Sequence, residues 1–226
     1  MSGETIAITG ANRGIGLELV RLFLARSDRV IALCREAGNE LSATSAEVIE
    51  GVDVTAPESL RAVAPRLKGE PIDVLVNVAG VLTREGLEDL GEHEALERIR
   101  NQFEVNALGP LLATHALLDS LGEGAKVALI TSRMGSIADN DSGGRYGYRM
   151  SKAALNAAGK SLAVDLAGRG VAVGIFHPGF VRTAMTGYRG HVEPREAASM
   201  LLVRIDELDL AHAGRFVHAN GEVLPW

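Results

Sequence analysis

The chain has 226 residues, 46% of them apolar and 23% charged, with a formal net charge of −6. That suits one well-packed soluble domain, and an acidic balance with arginines scattered along the sequence leaves no electrostatic footprint for a nucleic acid. Every apolar run falls short of the ~20 residues that span a bilayer, Met1 to Glu4 lead straight into a strand without a signal peptide, and a lone cysteine, Cys34, excludes an internal disulfide framework and fits a reducing cytoplasm.

Short β-rich runs alternate with longer segments of 3.6-residue period. "TIAIT" (5–9) is a buried strand, and "GIGLELVRLFLAR" (14–26) is a helix with Ile15, Leu19, Leu22 and Phe23 along its apolar stripe. Strands follow at 29–34, within 46–54 and at 72–78, with a helix over 57–67 that starts at a proline. A long helix covers roughly 92–120, then come a strand at 126–131, a helix from 146 to about 168 and a strand at 171–176. A helix near 195–207 and a strand at 215–219 close the pattern, and the loops at 135–145 and 184–194 are its largest gaps. Nearly continuous apolar strands are those covered by helices on both faces. The expectation is α/β: a single doubly wound Rossmann-type domain spanning 1–226, with a parallel sheet of about seven strands. Cys34 ends the second strand and reads as a buried, inert thiol. The six histidines show no metal-ligand spacing, so no metal site is expected.

"ITGANRGIG" (8–16) joins the first strand to the first helix, with glycines at 10, 14 and 16. A tight turn, a backbone close to a pyrophosphate and helix N–H groups aimed at it all need such glycines. A plain tight turn would need them too, but at this place in the topology nucleotide binding is the better reading. The end of the second strand decides which nucleotide: a carboxylate there suits a free ribose, an arginine a 2′-phosphate. Arg35 stands there and Arg13 in the glycine turn, and two guanidiniums clamp a phosphate well. The preference is therefore NADPH, although Glu36 could reach a ribose hydroxyl.

"YGYRMSK" (146–152) places Tyr148 and Lys152 one helical turn apart, on one face. A packed tyrosine beside a solvated lysine would give the same spacing. An adjacent ammonium also favours the phenolate, which pulls the phenol from its ordinary value near 10 toward the working range of a proton shuttle.

Together these segments resemble the short-chain dehydrogenase/reductase family over essentially the whole chain. "TGANRGIG" resembles its cofactor motif, "DV" at Asp53–Val54 the pair whose aspartate meets the adenine amino group, and "NVAG" (77–80) its N-N-A-G with Val78 replacing an asparagine. "VN" at Val105–Asn106 matches the asparagine that interrupts the fourth helix, and "TSRMGS" (131–136) the S-x-x-G segment holding the catalytic serine. "YRMSK" matches Y-x-x-x-K, and "HPGFVRT" (177–183) the P-G motif before a threonine that holds the nicotinamide carboxamide. Within the family the chain looks most similar to carbonyl reductases of the C-factor and sniffer kind.

The resemblance implies a catalytic set of Asn106, Ser132, Tyr148 and Lys152. It implies NADP(H) binding by Gly10, Asn12, Arg13, Gly14, Ile15, Gly16, Arg35, Asp53, Val54, Asn77, Ala79, Gly80, Pro178, Gly179, Val181 and Thr183, together with Tyr148 and Lys152. Lys152 would bond the nicotinamide ribose, Ser132 would donate to the developing alkoxide, and Asn106 would hold a water linking Lys152 to solvent. On the residues alone, Ser132 fits a turn, Asn106 a helix surface, Asp53 a strand end and Thr183 a helix cap equally well. Phe180, Met185 and Tyr188 would line the substrate pocket or simply cover it.

The leading reading is an NADPH-dependent reductase of aldehydes or ketones acting on a small molecule in the cytoplasm. The helices at 92–120 and 146–168 are those through which the family commonly pairs, implying a homodimer or homotetramer. The alternative, a cofactor-binding regulatory or signalling protein on the same scaffold, would not need the four catalytic residues together. An NAD-linked alcohol dehydrogenase would want an acidic residue where Cys34 stands, and a sugar epimerase or dehydratase a larger C-terminal region.

Overall fold

A computed structural model describes residues 3–67 and 69–226; Met1 and Ser2, where the sequence reading looked for a leader, lie outside the described residues. In chain order the regular elements are β1 (Thr5–Thr9), α1 (Gly14–Ala25), β2 (Arg29–Leu33), α2 (Gly38–Ser42), β3 (Glu47–Ile49), α3 (Pro57–Arg61) and β4 (Ile72–Asn77). Then come α4 (His93–Phe103), α5 (Gly109–Ala116), β5 (Leu121–Ile130), α6 (Tyr146–Ala167), β6 (Ala172–His177), α7 (Pro194–Asp206) and β7 (Phe216–His218).

The strands form one sheet in the order β3-β2-β1-β4-β5-β6-β7, and every neighbouring pair is parallel. Each strand feeds both faces because side chains alternate across the pleat. Ile6, Ile8, Val74 and Val76 pack under α1 and α7 with Leu19, Phe23, Leu201 and Ile205. Leu75, Val127, Leu129 and Ile175 pack on the other side with Ala113, Leu117 and Leu155 from and beside α5 and α6. Two apolar layers on one sheet explain why the strands read as unbroken runs. Gly159 lets α6 lie close to the sheet, since a Cβ there would stand 2.8 Å from Ile175 and Leu129 side chains.

Several expected boundaries are corrected. The helix expected over 92–120 is α4, a π-helical turn at Glu104–Leu108, α5 and a 3₁₀ turn at Leu118–Ser120. The one expected over 57–67 ends at Arg61, with a separate 3₁₀ turn at Ala64–Leu67. α2, at five residues, is too short to show a period and was not foreseen. Leu17 and Val20 are buried in addition to the expected stripe of α1, while Ile15 and Leu22 are only half-buried.

Strand order runs outward in both directions from β1 and β4, so the crevice beyond their carboxyl ends is where this architecture takes ligands. No helix among the described residues is long and apolar enough to cross a membrane.

Candidate active site

The glycine turn leaves β1 at that crevice. Gly10 has φ +65°, and a Cβ there would sit 2.8 Å from the Ala79 backbone, just past β4. At Gly16 a Cβ would collide with the Gly10 carbonyl oxygen. Gly14 has φ +54° and faces the Thr183 methyl, 3.4 Å from its would-be Cβ, so Thr183 closes over the turn from the far half. α1 starts here without a side-chain cap and with no acid in its first turn, leaving its N–H groups free to meet an anion. A cradle that any Cβ would fill, at an uncapped helix start, fits a dinucleotide pyrophosphate.

Asn12 fixes the turn by donating from Nδ2 to Glu36 O at 2.8 Å. Arg13 and Arg35 are exposed and make no ion pair among the described residues, so neither is tied to Glu36. Asp53 Oδ1 accepts from the Thr55 N–H at 2.9 Å and the Thr55 hydroxyl at 2.8 Å. The Thr55 N–H above all holds its carboxyl below the usual range; the Thr55 hydroxyl and the charge of Arg35 add to that and burial opposes it, leaving an ionised acceptor. Val54 is buried against Gly109 at the start of α5.

Beneath the crevice Asn77 is 1% exposed, donates to Thr114 Oγ1 at 3.4 Å and keeps Oδ1 without a partner. Val78 and Ala79 donate their N–H groups to Thr9 Oγ1 at 3.2 and 3.4 Å. Thr9 therefore shapes the segment after β4 on which Val78 stands, a role the motif reading overlooked; its adjacency to the glycine turn was the available signal.

At the other half, Lys152 is 4% exposed and its Nζ donates to Ile130 O at 2.9 Å. Gly80 passes so near that a Cβ would lie 3.8 Å from that Nζ and 3.2 Å from Asn106 Oδ1. Asn106 sits in the π-helical turn, fully buried. Its Nδ2 donates to Val81 O at 2.9 Å and Ser151 Oγ at 3.0 Å, and Oδ1 accepts from Val81 N at 2.8 Å. Those bonds fix the side chain, so Asn106 braces the segment after Gly80 against α6.

Tyr148 and Ser132 are each 8% exposed and line the same cleft. Ser132 also caps the 3₁₀ turn Arg133–Gly135, its Oγ accepting from Met134 N at 3.2 Å, so its turn role and its place beside Tyr148 coexist. Burial pushes the Tyr148 phenol up, against a smaller lowering by Ser132. The expected lowering by Lys152 is corrected: Nζ lies 6.0 Å from the Tyr148 ring centre and turns to Ile130. Burial instead lowers Lys152 itself to about 8.

Ser132 and Tyr148 open into a cleft of about 600 Å³. The 135–145 loop forms one wall through Asp139, Ser142 and Arg145; Gly179, Phe180 and Met185 form another. Gly179 has φ +91°, Pro178 is buried, and Val181 is buried and bridged to Val192. Tyr188, 68% exposed, does not line the cleft, and His191 packs edge-on to Phe180 at 5.4 Å. Thr183 caps the turn Ala184–Thr186 as well as approaching Gly14.

The loop is fastened by the last residues of the sequence. Trp226 O accepts from Ile137 N at 2.8 Å, Ala138 N at 2.9 Å and Ser136 Oγ at 2.9 Å, while its ring stacks on Phe216. Arg133 pairs with Asp139 at 2.7 Å and Glu222 at 2.8 Å. The bonds to Trp226 O and Glu222 were not foreseen, because those partners stand some 90 residues apart.

A short chain dehydrogenase family model matches residues 4–193. The chain is 42% identical to 1-hydroxy-2-glutathionyl-2-methyl-3-butene dehydrogenase of Rhodococcus sp. strain AD45, covering 99% of this chain and 100% of that one. It is 44% identical to C-signal of Myxococcus xanthus, over 74% of this chain and 100% of that one. The NADPH-bound carbonyl reductase from chicken fatty liver superposes with a TM-score of 0.88 at 29% identity, covering 100% of both chains.

Proposed function

This chain belongs to the short-chain dehydrogenase family, and on that premise we propose that it is an NADPH-dependent reductase of aldehyde or ketone carbonyls. The observation that carries the reading is the cleft that Ser132 and Tyr148 line together, with buried Lys152 one turn along α6. The carbonyl reductase neighbour that holds NADPH supports the cofactor. When bound, the cofactor supplies the hydride for the carbonyl carbon. Tyr148 donates its phenolic proton to the oxygen that gains charge, and its burial-raised value keeps that proton in place at neutral pH. Ser132 donates a hydrogen bond to the same oxygen. Lys152, charged below about pH 8, keeps a positive charge on the same face of α6 as Tyr148, where it would bond the nicotinamide ribose. Run backward, the same groups oxidise an alcohol, the direction that the Rhodococcus relative's name gives.

In this reading Gly10, Gly14, Gly16, Asn12 and Ile15 form the pyrophosphate turn, and Arg13 and Arg35 take the 2′-phosphate. Asp53 and Val54 hold the adenine. Asn77, Ala79 and Gly80 floor the crevice, and Pro178, Gly179, Val181 and Thr183 close over the nicotinamide. Residues 1–226 act as one domain, in the cytoplasm, as a homodimer or homotetramer.

The signalling alternative draws on the C-signal relative; a fully assembled Ser132, Tyr148 and Lys152 set favours catalysis. The test is loss of NADPH absorbance with a panel of aldehydes and ketones. Turnover that falls by about 10²–10⁴-fold in Tyr148→Phe, with NADPH binding kept, supports the reductase. Tight NADPH binding without turnover on any of them would favour the alternative.

A further inference from the structure

We propose that the substrate is an anion, carrying a carboxylate away from its reacting carbon, and that arginines around the cleft receive it. The inference rests on the reductase reading and names the substrate class. Arginines that look scattered in sequence converge in space: Arg84, Arg133, Arg145, Arg149 and Arg189 line the cleft, against a single carboxylate, Asp139. The chain as a whole has an excess of acids, 29 against 23 lysines and arginines, so this local reversal is not a sampling of the average surface.

Arg133 is already neutralised by Asp139 and Glu222. The other four form no ion pair with a carboxylate among the described residues. Arg149 is held in place rather than satisfied: Nε donates to Gly143 O at 3.3 Å and Nη2 to Ser142 Oγ at 2.8 Å, leaving Nη1 without a partner among the described residues.

Arg145 stands where its own conformation argues against it. Its φ is +51°, a region that suits glycine, and the two residues before it are glycines at +62° and +61°. The strained backbone is fixed by its N–H donating at 2.9 Å to the carbonyl of Glu85. Arg145 and Arg149 also crowd the start of α6, which has no acid in its first turn, so their charges add to the positive end of the helix dipole. Unfavourable local choices gathered at the mouth of a catalytic cleft are those that a bound anion would offset. The cofactor does not account for them, because the 2′-phosphate is assigned to Arg13 and Arg35 at the β1 and β2 ends. Guanidinium forks match a carboxylate in two-point geometry, which favours that anion.

The experiment compares 4-formylbenzoate with its methyl ester, at about 20 mM and about 500 mM salt. The kcat/KM ratio should favour the carboxylate by about 10- to 100-fold at low salt and shrink at high salt. It should collapse in Arg145→Gly with Arg149→Gln, the first replacement being the residue that the backbone angle suits. A ratio near one, or one unmoved by salt and by both substitutions, overturns the inference while leaving the reductase intact. If neither aldehyde is turned over, equilibrium binding of the two compounds to Tyr148→Phe decides the anion question by the same ratio, while the panel of aldehydes and ketones decides the reductase reading. A 2-oxopropyl thioether of glutathione and its dimethyl ester, run alongside, tell a conjugate from a simple acid.

Discussion

The two halves of the cleft are made of different materials. The floor of the cofactor half is shaped by main chain: glycines whose missing Cβ atoms leave room, an uncapped helix start, and the segment after β4 held by Thr9. The reactive half is side chains, buried and titratable, on α6 and the turn after β5. Main-chain sites tolerate little substitution but need no protonation state. Side-chain sites need the right charge, and burial works against charge.

Lys152 breaks this comparison most sharply. Buried with one carbonyl partner and, among the described residues, no carboxylate, it disfavours the fold whenever it is charged. Its folded value, about 8, lies below the free-chain 10.5. Folding therefore carries the full cost below pH 8, and that cost fades as the pH rises from 8 toward 10.5. Lys152→Met is expected to lower kcat/KM by about 10²–10⁴-fold. In thermal melts at pH 7 the same variant should raise Tm, by about 2–4 °C for each kcal/mol recovered. In the parent, kcat/KM for reduction should hold from pH 6 to 7 and decline above about 8 as the ammonium discharges. A substitution that lowers both activity and Tm would mean that Lys152 is structural.

The cofactor half should respond less. Arg13→Ala with Arg35→Ala removes two exposed guanidiniums that form no ion pair among the described residues. The preference for NADPH over NADH, measured as a ratio of kcat/KM, is expected to fall by about 10- to 100-fold, since each charge-assisted bond contributes roughly 1.5–3 kcal/mol. An unchanged ratio would move the selection of the phosphate elsewhere.

The difference between the halves also decides what could be read without a structure. Glycine spacing, apolar runs and the Tyr148–Lys152 turn are local, so the sheet, the glycine turn after β1 and the placement of that pair on α6 were legible. Asn106 was found by its motif, yet its bonding partners, Val81 and Ser151, lie 25 and 45 residues away. The expected tuning of Tyr148 was wrong in sign because sequence gives adjacency and not burial. The arginine mouth was hidden for a similar reason: its members come from segments after β4, after β5, at the start of α6 and before α7.

The smallest effect should come from the wall joining the cleft to the end of the sequence. Arg133 bridges Asp139 and Glu222, but its side chain is 42% exposed and the acids 36% and 50%. Such pairs contribute about 0.2–1 kcal/mol each, and the three hydrogen bonds to Trp226 O would still hold the loop. Arg133→Ala is therefore expected to raise KM by about 2- to 5-fold, with kcat little changed. A loss confined to KM places the 135–145 loop in binding. A collapse of kcat would instead make the loop part of the reactive half, with its fastening to Glu222 and Trp226 a condition for aligning Ser132 with Tyr148.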